Sequence, residues 1–111
     1  MPICYTIFKE RERYIKMIMY ELSCRYDRRK SFYGKAKVVE EQNGDLLLYS
    51  YDTLVARINK GKFELNVDVP YYLLYSNTTL RHIKEFYKQH YKYEEITKSD
   101  LEKFESDFMV D

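Results

Sequence analysis

The chain has 111 residues, 45% of them apolar and 33% charged, with a net charge of +1. That length fits one domain, 1–111, and the balance fits a folded globular protein that needs no disulfide or metal to hold it. With no apolar run near the roughly 18 residues of a membrane span, and no charged and apolar leader in the opening Met-Pro-Ile-Cys-Tyr, the sequence excludes a helical membrane protein, a secreted disulfide scaffold and a multidomain enzyme, and points to the cytoplasm.

Residues 8–26 predict a first helix. Phe8, Ile15, Ile18, Met19, Leu22 and Tyr26 fall on one helical stripe, and Lys9, Arg11, Glu12 and Lys16 largely occupy the other faces. Asp27, Arg28, Arg29 and Lys30 end it in a basic, exposed connection. Residues 31–75 predict antiparallel sheet, with a first strand over 31–41. Asn43-Gly44 signals a hairpin, because a type I′ turn needs positive φ at both central positions. Residues 45–58 return, with a bend or bulge around Tyr51, Asp52 and Thr53, and Asn59-Lys60-Gly61 turns the chain again. Residues 62–69 then alternate, with Phe63, Leu65, Val67 and Val69 inward and Lys62, Glu64, Asn66 and Asp68 outward. Pro70 breaks the pattern, and residues 71–75 predict a short fourth strand.

Residues 77–91 predict a second helix, capped by Asn77, Thr78 or Thr79. Its inward stripe is Leu80, Ile83, Phe86, Tyr87 and His90, and Arg81 and Glu85 are spaced for an exposed ion pair. Residues 98–106 predict a third helix, opened by a Thr97–Asp100 capping box and an Ile96–Leu101 hydrophobic staple. Leu101, Phe104 and Phe108 then face the core. The expected class is α+β: an antiparallel meander of three to four strands with an N-terminal helix and two C-terminal helices.

The charge is segregated. Residues 9–37 hold ten Lys/Arg against four Asp/Glu, a net +6, and residues 94–111 hold two against seven, a net −5. Such segments attract phosphate or oppositely charged proteins, or pair with each other, or are solvated faces. The chain also carries 13 tyrosines and no tryptophan, a composition that suits half-buried sheet faces and contact surfaces.

Chemical motifs are sparse. Cys4, Cys24, His82 and His90 match no zinc spacing, and two histidines eight residues apart on a helix cannot share one ion. Buried free thiols account better for the cysteines, and no metal or cofactor is expected. No nucleophile elbow, phosphate loop or dinucleotide fingerprint occurs. Arg81, His82 and Glu85 on one helix suit a small ribonuclease, with His82 or Glu85 as general base and Arg81 on the phosphate. The competing reading of His82 is a packed histidine bonded to a backbone carbonyl. Arg25, Arg28, Arg29, Lys30, Lys35 and Lys37, interleaved with Tyr26, Phe32 and Tyr33, suit nucleic-acid binding. Tyrosines at the rim of charged patches suit a protein partner, and the chain is read as non-catalytic.

Ser31-Phe32-Tyr33-Gly34-Lys35-Ala36, Leu48-Tyr49-Ser50-Tyr51-Asp52-Thr53-Leu54-Val55-Ala56, and the run from Tyr75 to Phe86 with Thr78-Thr79-Leu80-Arg81-His82-Ile83-Lys84-Glu85-Phe86 carry a resemblance. They resemble a small domain encoded by phages, plasmids and other mobile elements of Firmicutes, over roughly residues 20–105. The segment up to Cys24 departs most from that pattern. The resemblance assigns no catalytic residue. It implies an accessory protein of a bacterial cytoplasm, similar in size and character to small anti-CRISPR proteins. The expected role is therefore binding and inhibition of a host defence protein, Cas9 with its guide RNA first among them, as monomer or homodimer. The acidic Glu94, Glu95, Asp100, Glu102, Glu105 and Asp107 would meet basic grooves, and Arg25, Arg28, Arg29 and Lys30 would meet bound RNA or DNA.

Overall fold

The architecture follows from how the apolar strand residues find partners. A computed structural model describes the backbone of residues 3–9 and 13–108, and side chains from residue 17 onward. Seven strands form one mixed sheet in chain order: β1 (Ile3–Lys9), β2 (Arg13–Glu21), β3 (Ala36–Glu40), β4 (Leu46–Ser50), β5 (Thr53–Asn59), β6 (Lys62–Asn66) and β7 (Glu105–Ser106). Neighbours from β1 to β6 are antiparallel, and β7 joins β6 in parallel. Between β6 and β7 come α1 (Tyr71–Leu74), α2 (Asn77–His90) and α3 (Lys98–Glu102).

The chain is α+β, but it has neither the N-terminal helix nor a sheet of only three to four strands. Residues 3–9 and 13–21 are a hairpin, paired from Ile3↔Met19 to Lys9↔Arg13. These segments are rich in β-branched and aromatic residues, which fit a pleated surface better than a helix. Tertiary pairing decides the matter: β2 also pairs with β3, from Ile18↔Glu40 to Glu21↔Lys37, and the Leu22 N–H continues the ladder to the Ala36 carbonyl. Arg11 and Glu12, placed on the polar face of the expected helix, lie outside the described residues, as do the side chains of Phe8, Lys9, Ile15 and Lys16.

Three further segments differ from expectation. Residues 45–58 are not one bent strand but β4 and β5, joined by Tyr51 and Asp52 at φ 51° and 68°. Residues 71–75 are not a strand, because β7 already occupies the edge of β6 through Leu65↔Glu105 and Asn66↔Ser106. With the β6 edge taken, the segment after Pro70 coils into α1 instead. The third helix stops at Glu102, which frees Glu105 and Ser106 for that edge.

The turns also change places. At Asn43-Gly44 only Gly44 is left-handed, at φ 94°, in a three-residue loop closed by Gly44 N–H to the Glu41 carbonyl and Glu41 N–H to the Asp45 carbonyl. Val67 is 41% exposed rather than buried, because β6 ends at Asn66, whose side-chain oxygen accepts the Asp68 N–H and turns the chain out of the sheet.

One sheet face carries Ala36, Val38, Leu48, Ala56, Phe63 and Leu65, all buried, and α2 packs there with Ile83, Phe86 and Tyr87. The Phe63 ring sits among Phe86, Tyr87, Tyr91 and Phe104 at centroid distances of 5.0–6.3 Å. Ser76, rather than Asn77, Thr78 or Thr79, caps α2, its hydroxyl accepting the Thr79 N–H. The Thr97–Asp100 capping box forms as expected, with Ile96 and Leu101 both buried. No helix among the described residues is long and apolar enough to cross a membrane.

Candidate anion cleft on the first half of helix α2

The basic loop is held by a buried carboxylate. Glu85, 2% exposed on the inner side of α2, accepts backbone N–H bonds from Arg25 (3.2 Å), Tyr26 (2.9 Å) and Asp27 (2.8 Å). Gln89, one turn on, donates to Glu85 and to the Ser23 carbonyl. Because the loop turns its amides inward, its side chains point out: Arg25, Arg28, Arg29 and Lys30 are all exposed. The expected Arg81–Glu85 pair does not form. Arg81 instead bonds Asp27 at 3.1 Å, and Asp27 also accepts the Arg29 N–H at 2.8 Å.

A polar joint ties α2 to the sheet beside this loop. His82 is 1% exposed, and its Nδ1 lies 2.7 Å from the Ser50 hydroxyl, not on a backbone carbonyl. Ser50 lies 3.4 Å from the Thr79 hydroxyl, and Phe32 meets the imidazole edge-on at 4.6 Å. Burial pushes the His82 pKa down to about 4, against the opposing pull of Asp27, so the ring is neutral at pH 7. Every buried side-chain polar atom among the described residues has a partner.

Over this joint opens a cleft of about 180 Å³. Arg29, Lys35 and Arg81 supply cations to its wall, and among the described residues no carboxylate lines it. Ser31, Thr78, Tyr33 and Tyr51 add hydroxyls, with Phe32 and His82 completing the lining. Two turns build the rim. Tyr33-Gly34 (φ 54° and 73°) is closed by the Lys35 N–H on the Phe32 carbonyl, and the Tyr51 N–H bonds the Lys35 carbonyl at 2.9 Å, tying the second turn to the first. Lys35 lies over the Tyr51 ring at 5.3 Å. Arg81 is already paired with Asp27 outside the lining, but the grouped cations with no carboxylate among the lining residues make a site for an anion, and the hydroxyls give it hydrogen-bond partners.

The expected site residues therefore separate. Of the basic arm, Arg29 reaches the cleft, while Arg25, Arg28 and Lys30 lie on the exposed loop outside its lining. The acidic residues are mostly engaged within the fold. Glu94 accepts from the Tyr87 hydroxyl (2.6 Å), Glu95 from Lys88 (2.8 Å) and Glu105 from the Tyr75 hydroxyl, while Asp100 completes the α3 cap. Lys88 holds the Glu95 carboxyl below its ordinary range, and the Thr97 amide and hydroxyl do the same for Asp100. Glu102 and Asp107 are exposed. The trio Arg81, His82 and Glu85 does not converge on one point: Arg81 turns to Asp27, His82 to Ser50, and Glu85 to the loop amides. Cys24 is half-buried rather than buried, and no group of metal-binding side chains forms among the described residues. Tyr51 and Thr78 were not picked out by the sequence pattern; the signal available was the Tyr51-Asp52 break in a long strand run.

The model of a family of unknown function, DUF8033, matches residues 20–103. The chain belongs to this family. The matched span contains Glu85, the loop it anchors and every residue lining the cleft, and it leaves out β1 and nearly all of β2. No curated protein and no solved structure matches the chain.

Proposed function

We propose that the protein is a non-catalytic binding module of a phage or other mobile element, working in the bacterial cytoplasm, that grips the phosphates of nucleic acid through the α2 cleft. The observation that carries this reading is the cleft wall, where Arg29, Lys35 and the Asp27-paired Arg81 stand with no carboxylate among the lining residues and are flanked by exposed Tyr33 and Tyr51. Cations hold phosphates and tyrosine rings stack on bases, so the two together suit a single strand. The test is fluorescence anisotropy with labelled single-stranded RNA and DNA across a salt series. Binding should weaken as salt rises, and Arg29→Ala or Lys35→Ala should each lower the slope by about 0.7. Binding that ignores salt and both substitutions refutes the reading.

A second reading rests on a different surface. Val67, Tyr71, Tyr72 and Leu73 are 41–75% exposed, an apolar strip beside α1 of the kind that meets protein partners. It favours inhibition of a host defence protein, with guide-loaded Cas9 as the specific candidate: RNA for the cleft and protein for the strip. Stoichiometric inhibition of Cas9 cleavage that is lost in Tyr72→Ala supports it. Cleavage unchanged at excess protein removes it.

A further inference from the structure

A second cavity, of about 220 Å³, adjoins the basic cleft and shares Tyr51 and Thr78 with it. Its chemistry differs. Val55, Val69 and Leu73 give it apolar walls, and the hydroxyl residues Thr53 and Ser76 are set among them. Each cavity alone is smaller than the roughly 300–1,000 Å³ of a small-molecule site, and the two lie side by side across Tyr51 and Thr78. One half therefore offers cations, and the other an apolar slot with hydrogen-bonding groups at its edge. A single molecule that fills both must join an anionic group to a flat, apolar-faced ring with polar edges.

We propose that the paired cavities take a nucleotide, its phosphate among Arg29, Lys35 and Arg81 and its base in the slot formed by Val55, Val69 and Leu73. The inference rests on the reading of the cleft as a phosphate site and adds the ligand class. Tyr51, half-exposed on the shared wall, offers its ring to the nucleoside, and Thr78 offers its hydroxyl where the two cavities meet. The chemistry is the same for a free nucleotide and for one residue of a strand.

The experiment is a ¹H–¹⁵N NMR titration of the full chain with inorganic phosphate, ribose 5-phosphate, the four nucleoside 5′-monophosphates and short single-stranded oligonucleotides. At least one mononucleotide should bind about tenfold or more tightly than ribose 5-phosphate. It should shift the amides of Thr53 and Leu73 as well as those of Tyr33 and Lys35. Leu73→Trp, at a residue 45% exposed, fills the slot and should abolish the preference while leaving phosphate binding intact. Thr53→Leu, on an exposed strand end, is the second variant and should lower the preference in the same direction. Oligonucleotides binding more tightly than monomers identify a strand as the source, and equal binding identifies a free nucleotide; both retain the proposal. Equal affinity for ribose 5-phosphate and every nucleotide overturns the inference and leaves the phosphate reading standing. No cleft shift with any of these ligands overturns both.

Discussion

Replacing Glu85 by alanine tests whether one buried carboxylate organises the basic face. Its two oxygens receive the N–H groups of Arg25, Tyr26 and Asp27 at 2.8–3.2 Å, together with the Gln89 amide. Hydrogen bonds to a charged acceptor contribute about 1.5–3 kcal/mol each, and a buried donor left unpaired costs about 1–3 kcal/mol. Water reaches part of this loop, whose Arg25 and Tyr26 are exposed, so the full sum is not realised. Glu85→Ala is expected to destabilise the protein by about 3–5 kcal/mol. At about 4 °C per kcal/mol for a chain of this size, that is a fall in Tm of about 12–20 °C. Urea unfolding measures the energy, and amide hydrogen exchange reads the cause. The Tyr26 and Asp27 amides should be protected in the parent and exchange freely in the variant. Rapid exchange of those amides in the parent, or a loss below about 1 kcal/mol, refutes the anchoring role.

Phe86, fully buried against Phe63 and His90, should cost about 3–5 kcal/mol as Phe86→Ala, and an unchanged urea midpoint would refute the packing. His82 makes stability fall in acid: the fold lowers its pKa from 6.5 to about 4, so the unfolded chain takes up the proton first. The stabilisation from neutral His82 is full above about pH 6.5 and is lost as pH falls toward 4, by about 2–3 kcal/mol after allowing for solvent at the cleft. Urea unfolding from pH 7 to 4 should show this slope in the parent and a shallower one in His82→Gln; equal slopes refute it. Tyr51→Gly places glycine at φ 51° and should leave stability within about 1 kcal/mol, while weakening nucleic-acid binding by roughly tenfold through the lost ring. Unchanged binding in that variant would exclude Tyr51 from the contact.

The legible parts of the sequence were those where local chemistry and tertiary context agree. Helix α2 has a clean inward stripe, and the Thr97–Asp100 box needs only four residues to form, so both were readable. Residues 8–26 were not, because Ile18, Met19 and Leu22 satisfy a helical period while a strand needs only the pairing that β3 supplies. Residues 71–75 differ for the opposite reason: their aromatic content suits a strand, yet β7, from much later in the chain, pairs with β6 in their place. The site was half legible. Arg29, Lys35 and Tyr33 stand in a visibly basic, aromatic segment, whereas Tyr51 and Thr78 join them only once the β4–β5 turn and the start of α2 are brought together. The sequence shows the charge of the acidic tail but not that Tyr75, Tyr87 and Lys88 engage Glu105, Glu94 and Glu95.

Backbone strain singles out the same place. Among the described residues, four other than glycine are left-handed: Tyr33, Tyr51, Asp52 and Lys60. Each such residue costs about 1–2 kcal/mol relative to the right-handed backbone, and glycine would relieve it. Lys60 sits in the β5–β6 turn beside Gly61 and is absent from both cavities. Asp52 likewise lines neither cavity, whereas Tyr33 and Tyr51 line the cleft and are 75% and 51% exposed. A ring that far from the core adds little burial to offset a strained backbone. Core packing therefore does not account for tyrosine at these two positions, which is consistent with the ligand contact proposed for them. Glu85 holds the loop that leads to Arg29, and the Tyr51 N–H on the Lys35 carbonyl ties the two left-handed turns together beside Lys35.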